Sequence, residues 1–521
     1  MSDDLAGALA AIVGAAHVAT DAEARARAGS DLFPWPDAVL PELVIRPGST
    51  VELQGVMRAL AASGRAAVPR GAGLSYTGGV VPHAPAVVID LTRLAHVAID
   101  ADDLHARVGA GATWAALVAA AAAHGLRPAA PAPISGGHTT IGGAASQGLP
   151  GTMEGFLGLE VVLADGTALR TGSAARPGAS PFWRQRGPDL TGMFLGDCGA
   201  FGVKTELVLR LAPDQPAAFA SFAFDDGAAV VATIAALMRA GAATRCVALD
   251  RQRVADAARL APGEAALLLG AVLGGAATAG QGLRDAAQML RAGLSGPDPA
   301  RWSLHVTTEG HDAAAAASRL ALARRLCADG REIDNAVPKA LRARPFSIRG
   351  MVGPAGERWV PVHGILPLSR AAAALAALEA ALAAAAPEMD AVDMRAQWLI
   401  AASGPAITLE PMLLWPDALD ALHLETLGPT YRARFAGRPV NMPGRALAAR
   451  LRASLRDILV AEGAVQAQIG RYYAHAGHLG PGSESLLRRI KQALDPQSRM
   501  NPGALGLEPP GAGQSHPGSP A

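Results

Sequence analysis

Three cysteines in 521 residues, Cys198, Cys246 and Cys327, are too few for a disulfide framework and have no metal-ligand spacing. A reducing cytoplasm is the expected compartment. Aromatic residues make up 4% of the chain and charged residues 17%, the latter below the usual quarter or so. The net charge is +1 and the pI about 7.9, which excludes the basic footprint of a nucleic-acid binder. Half of the residues are hydrophobic, yet no apolar run reaches the ~18 residues of a membrane-spanning helix. The longest, Trp114–Ala123 and Ala371–Ala386, are alanine-dominated, and the second carries Glu379. The opening MSDDLAGALA is acidic and lacks the basic start of a signal peptide. Attachment to a membrane surface stays compatible with this composition, and the length gives room for two or three domains.

Two nucleotide fingerprints are also missing. The loop Pro69–Gly79, PRGAGLSYTGG, follows a short apolar strand, Ala66–Val68, but leads to another strand, Val87–Leu91. The dinucleotide fingerprint needs a helix there and a third glycine where Tyr76 stands, so a nicotinamide cofactor is not expected. Near residue 200, Val203 separates Gly202 from Lys204, whereas a P-loop needs Gly-Lys adjacent.

What is present is glycine in clusters. Gly71, Gly73, Gly78 and Gly79 can take positive φ and turn successive N–H groups inward, forming an anion nest suited to a pyrophosphate. Pro69, Arg70, Ala72, Leu74 and Ser75 complete this candidate loop, with Arg70 adding charge and Ser75 and Thr77 hydroxyls. Upstream, Ser49 and Glu52 have capping-box spacing for a helix over Val51–Ala62 that stops at Gly64. A second polar loop, Pro131–Gly148, offers Pro133, Gly136, Gly137, Thr140, Ile141, Gly142, Gly143, Ala145 and Gly148 for close backbone approach to a ligand. Glu160–Thr171 then reads as a hairpin turning at Asp165-Gly166. A third segment, Gly187–Leu211, includes Gly199-Ala200-Phe201-Gly202-Val203, beside which Cys198 reads as a small buried thiol. A fourth, near the C-terminus, holds Gln468–Tyr473, a helix over Leu486–Leu494, Asp495-Pro496 and Met500-Asn501-Pro502-Gly503.

In these four segments, in order and spacing, the chain resembles the vanillyl-alcohol oxidase and p-cresol methylhydroxylase superfamily of FAD-dependent oxidoreductases. The resemblance implies an α+β fold: a two-part FAD-binding domain and a substrate domain with an antiparallel sheet covered by helices. The expected parts are an N-terminal helix and lead-in over 1–40, the FAD-binding domain over 41–213, the substrate domain over 214–440, a returning segment over 441–507 and a disordered tail over 508–521. In the substrate domain, helices over Asp225–Ala240, Ala313–Cys327 and Ser369–Ala386 alternate with strand-like pieces, Ala265–Val272 and Trp359–Ile365.

The resemblance further implies FAD, held by the loop residues named above together with Gly202, Val203 and Asn501. Attachment is expected to be non-covalent, because Leu74 stands where berberine-bridge-type relatives carry a linking histidine. Glu410-Pro411 through Trp415-Pro416-Asp417 resembles the glycolate and D-lactate dehydrogenase branch, which points to a small 2-hydroxy acid. Such a substrate needs a cation for its carboxylate, here Arg471, and a base for its hydroxyl, here His363 or His475. Tyr472 and Tyr473 lie beside Arg471, one facing the flavin and the other packing in the core. No metal is expected: that branch's His-x-Gly-Asp-Gly-Asn-x-His motif is absent, and Ala467 occupies its C-terminal histidine position. A 4-substituted phenol is the alternative substrate, and a flavin-binding subunit of a larger complex the alternative role. The electron acceptor can be oxygen, a quinone, a cytochrome or a flavoprotein, and a homodimer is compatible with the chain.

Overall fold

Local signals set the first elements. Ser49 Oγ accepts the Glu52 amide at 3.1 Å, and the Glu52 carboxylate takes the Gly48 amide at 2.7 Å. The helix Thr50–Ser63 buries Leu53, Val56, Met57 and Leu60 and stops at Gly64, whose φ of 73° suits a residue without Cβ. The chain then enters the strand Ala66–Arg70, which pairs in parallel with Ala86–Asp90. A computed structural model describes residues 2–507 apart from 260–261, 275–277, 296–297, 347–350 and 474. The tail from Glu508, expected to be disordered, lies outside the described residues.

The chain divides into two compact units. The first takes the residues up to Asp214, Ala421–Thr426 and the chain from Ala467. It holds a four-stranded sheet in the order Val18–Ala19, Leu43–Ile45, Ala86–Asp90, Ala66–Arg70. Its second sheet is antiparallel and runs Val97–Asp100, His105–Gly109, Val203–Pro213, Phe156–Val162, Ala168–Arg170, with Leu126–Pro128 pairing the far end of Val203–Pro213. The expected hairpin is there: Glu160 pairs with Arg170, and Gly166 turns at φ 85°.

The second unit takes Gln215–Asp420 and Leu427–Gln466. Its core is an eight-stranded sheet in which every recorded pairing is antiparallel. This is the expected α+β combination. The helices Gly227–Arg239, Ala313–Leu326 and Ala371–Ala384 form where alanine-rich sequence predicts them. The sheet's two faces differ. Strand alternation places Phe222, Leu304, Val306, Ile400 and Leu409 on one face, all buried. The other face carries Ser221, Ser303, His305, Gln397, Glu410 and Trp359.

Three expectations need correction. Ala265–Val272 is not a strand but part of the helix Pro262–Gly274. A short apolar run does not distinguish the two by period, and its Ala and Leu residues favour helix. Trp359–Ile365 is not continuous: it breaks into Arg358–Pro361 and Gly364–Pro367, with His363 between them. The helix Met442–Ala461 belongs to the second unit, so the chain returns to the first at Ala467 rather than at 441. No single described helix is long and apolar enough to cross a membrane.

Candidate functional site

The four glycine-rich segments, far apart in sequence, meet in the first unit. A Cβ on Gly71 would collide with Thr140 Oγ1, and one on Gly470 with the Thr77 carbonyl. A Cβ on Gly199 would lie 2.9 Å from Pro69 Cγ, and the glycine sits at φ 73°. The second and third segments join through backbone bonds, Gly196 N to Ala145 O at 2.8 Å and Cys198 N to Ser146 O at 2.7 Å. The first and fourth join where Arg471 N and Tyr472 N both donate to Thr77 O, at 2.8 and 3.1 Å. Gly470 N donates to Cys198 Sγ at 3.3 Å, and burial pushes that thiol up to about 12, so it is an inert packing group.

At the centre of the first loop, the amides of Gly71, Ala72, Gly73 and Leu74 donate to no acceptor among the described residues. Gly73 has φ 78°, and a Cβ there would run into the Arg70 guanidinium. Four successive donors left open in a crowded, glycine-lined loop are what an anionic ligand such as a pyrophosphate requires. These residues fit the expected cofactor.

Other predicted residues have structural employment. Arg70 is buried, and its Nη1 donates to Ser30 O at 2.6 Å and Ala28 O at 3.2 Å while Nη2 reaches Arg27 O at 3.2 Å. It caps the end of the helix Ala22–Ala28, so its charge serves carbonyls rather than standing in the loop. Thr140 Oγ1 caps the helix Ile141–Gln147 by accepting the Gly143 amide at 3.2 Å. The Ile141 and Gly142 amides donate to Ala112 O and Ala110 O at 2.8 and 2.9 Å. Gly142 is glycine because Ala110 packs against it, and Gly202 because Val161 does. Val203 opens the strand Val203–Pro213 opposite Val162. Gly136 N bonds Pro133 O at 2.9 Å, which shapes the turn leading to Gly137.

Arg471 is tied inward. Its Nη2 donates to Asn501 Oδ1 at 2.6 Å, Nε to Val81 O at 3.2 Å, and Nη1 to the carbonyl of Pro502. Tyr472 and Tyr473 are both buried and meet edge to face with ring centroids 4.9 Å apart. Trp35 lies 6.2 Å from the Tyr472 ring. His475 is half-buried, and burial, with His478 a smaller cause, lowers its pKa. His363 lies in the other unit, where burial, then the charge of Arg452, holds its imidazole down to about 4.

Several functional neighbours escape a sequence reading. Asp31 is fully buried and organises the first loop: Oδ2 accepts Gly78 N at 2.9 Å, and Oδ1 accepts Phe33 N and Trp35 Nε1, each at 2.8 Å. The i to i+2 bond to Phe33 is an Asx turn, a signal that Asp-Leu-Phe-Pro carries locally. Lys204 forms a buried ion pair with Asp197. Lys491 donates to Asp495 Oδ2 at 2.7 Å and to the carbonyls of Ala200 and Met500 at 2.8 Å each, which gives Asp495 a structural role. In the second unit, burial raises the half-buried Glu410 carboxyl to about 7, with Arg253 pulling the other way. Arg253 lies over the Trp359 ring, 5.5 Å from its centroid.

Known proteins show the same parts. Residues 41–172 match an FAD binding domain, and residues 472–505 match the C-terminal domain of FAD linked oxidases. A glycolate oxidase subunit, GlcD, of Bacillus subtilis is 32% identical over 183 residues, 33% of this chain and 37% of that one. A D-lactate dehydrogenase of Archaeoglobus fulgidus is 29% identical over 179 residues, 33% of this chain and 39% of that one. The match thus spans well under half of the curated relatives' length. A 4-ethylphenol oxidase from Gulosibacter chungangensis superposes with a TM-score of 0.72 at 18% identity, covering 98% of this chain and 97% of that one. p-Cresol methylhydroxylase gives the same TM-score at 16% identity, covering 97% of each chain. At such identities these two establish the fold alone. Both sequence matches are thus to domains of FAD-linked oxidases, and the whole fold resembles that of the vanillyl-alcohol oxidase and p-cresol methylhydroxylase superfamily.

Proposed function

We propose that the chain is an FAD-dependent dehydrogenase or oxidase acting on the CH–OH group of a small 2-hydroxy acid of the D-lactate or glycolate kind. The observation that carries this is the convergence of four segments around the open amides of Gly71–Leu74, in a chain similar over a third of its length to D-lactate and glycolate enzymes. Bound FAD supplies the hydride acceptor. The loop amides would hold its pyrophosphate, and Leu74 offers no atom for a covalent link there.

The remaining work falls to side chains. Three of Arg471's donors are taken by Asn501, Val81 and Pro502, so we assign it to bracing the loops rather than to the substrate carboxylate. Within the second unit, taken by itself, Arg253 is a planar cation of the kind that a carboxylate can meet in bidentate geometry. Its neighbour Glu410 is the better base: a carboxyl held near 7 is matched to proton transfer at neutral pH. His363, held near 4, stays neutral and serves to position the substrate by hydrogen bonding. In the first unit, Tyr472, Tyr473 and Trp35 pack together as an apolar cluster.

The test is a visible spectrum of the purified protein, then anaerobic addition of D-lactate, glycolate and a 4-alkylphenol in turn. Bound flavin bleached by a hydroxy acid supports the reading. Bleaching by the phenol alone transfers it to the phenol-oxidising branch, whose pocket would use the tyrosine pair. Flavin with no bleaching points to a flavin-binding subunit, and no flavin spectrum even after adding FAD overturns the cofactor. Reoxidation of the reduced protein by oxygen, a quinone or cytochrome c then assigns the acceptor.

A further inference from the structure

Between the strand Ala168–Arg170 and the helical turn Leu190–Met193, the chain makes a surface loop with an unusual composition. Phe182 and Trp183 are adjacent and both more than half exposed, at 56% and 57%, and Leu190 is 44% exposed. In a chain with only seven tryptophans and ten phenylalanines, two neighbouring rings left in water call for an occupant. The loop is not loose. Ser173 is buried at its base and accepts the Phe182 and Trp183 amides on Oγ at 3.0 and 3.2 Å. The same hydroxyl donates to Ser180 O at 2.6 Å, and Ser173 N donates to Trp183 O at 2.7 Å. The backbone is therefore fixed while more than half of the surface of each of these two residues stays in water.

The charges around them have one dominant sign. Arg176 and Arg186 are exposed, and neither guanidinium has an ion-pair or hydrogen-bond partner among the described residues. Arg184 pairs with Asp189 at 2.8 Å and donates to Met153 O, beside the exposed Glu154. Arg184, Arg186 and Leu190 line a small cleft together with Gly172, Ala175 and Pro188.

We propose that this loop docks the protein on an anionic lipid surface, with Phe182, Trp183 and Leu190 entering the headgroup boundary and Arg176 and Arg186 meeting lipid phosphates. Aromatic side chains favour this boundary, and each arginine held near an anionic leaflet adds to the attraction. Charge complementarity selects lipid over a second copy of the chain, since two such loops face to face would bring their unpaired arginines together. The inference does not depend on which substrate is oxidised.

The experiment is sedimentation of the full-length, flavin-loaded protein with vesicles of phosphatidylcholine alone or with 30% phosphatidylglycerol (about one lipid in three, a typical anionic surface). Binding is expected to the anionic vesicles only, weakening as salt rises. The double variant Phe182→Ala, Trp183→Ala should lose at least about tenfold in vesicle affinity. Arg176→Gln and Arg186→Gln should each lose roughly fivefold. Unchanged flavin content and melting temperature in these variants certify that they fold. No binding to anionic vesicles at low salt, or equal binding by the double variant, overturns the proposal. So does a wild-type dimer in solution that the double variant abolishes, because the face would then belong to a second copy.

Discussion

Asn501 and Arg471 are joined by a 2.6 Å bond from the guanidinium to the amide oxygen, and that bond closes a network across the first unit. Asn501 Nδ2 donates to Gly79 O at 2.7 Å and Cys198 O at 2.6 Å, while its own N–H donates to Ala67 O at 2.8 Å. One side chain thus ties the first glycine loop, the third segment and the C-terminal segment to Arg471. Its φ of 41° lies in the left-handed region, which asparagine tolerates better than most residues.

Removing that side chain should loosen all three segments together. Asn501→Ala leaves the buried Gly79 and Cys198 carbonyls without their donor and keeps a positive φ, and is expected to cost about 2–4 kcal/mol. Arg471→Ala should act similarly and lower both melting temperature and retained flavin. Thermal melts with flavin quantified by absorbance check this. If Arg471→Ala instead leaves both unchanged while raising KM tenfold or more, the arginine contacts substrate and the bracing role is wrong.

The first loop makes a sharper prediction. Gly73 combines φ 78° with a Cβ position already occupied by the Arg70 guanidinium. Gly73→Ala must shift that arginine off the carbonyls of Arg27, Ala28 and Ser30 or move the open amides. Loss of FAD affinity by about two orders of magnitude is expected, equivalent to roughly 3 kcal/mol. Gly178, also at positive φ but with nothing within 4 Å of its Cβ position, provides the control: Gly178→Ala carries backbone strain without a collision and should bind FAD normally in a titration.

The glycine loops were legible in the sequence because their demand is local. A glycine is needed wherever the backbone turns left-handed or another chain approaches, and clustered glycines advertise it. The residues that position the loops were not legible, since their partners lie far along the chain. Asp31 meets Gly78 across 47 positions, and Lys491 meets Ala200 across 291. Nor does sequence say what a guanidinium touches. Arg70 and Arg471 both sit in the right segments with the right chemistry, yet both turn to main-chain carbonyls. The Ala265–Val272 error has a different cause, an apolar run without a period that decides between strand and helix.

Asp31 tests whether the lead-in segment belongs to the cofactor loop. Asp31→Ala removes a fully buried carboxylate that receives Gly78 N, Phe33 N and Trp35 Nε1. A loss of about 3 kcal/mol is expected, because three donors lose a charged acceptor. Trp35 packs near both Gly78 and Tyr472, so its fluorescence should change as well. A variant with wild-type melting and full flavin content would show that the loop keeps its shape without this anchor.

Glu410 gives the pH dependence its sign. Burial lifts its folded-state pKa to about 7 from an ordinary 4.5, so between these values the folded chain keeps a proton that the unfolded chain has released. Stability is then fully present below about pH 4.5 and falls as pH rises through 7. Glu410→Gln keeps the neutral shape, should flatten this slope in denaturant titrations, and should make the protein about 1–3 kcal/mol more stable above pH 7. Its effect on catalysis runs the other way. If Glu410 accepts the substrate hydroxyl proton, flavin reduction in the wild type should rise with pH through an inflection near 7. In the glutamine variant the inflection should vanish and the rate drop by about 10²–10⁴. His363→Gln should leave that inflection in place, since an imidazole held near 4 does not titrate there. Stopped-flow reduction from pH 5.5 to 9 decides between them, and an inflection that survives in Glu410→Gln but disappears in His363→Gln would return the base to the histidine.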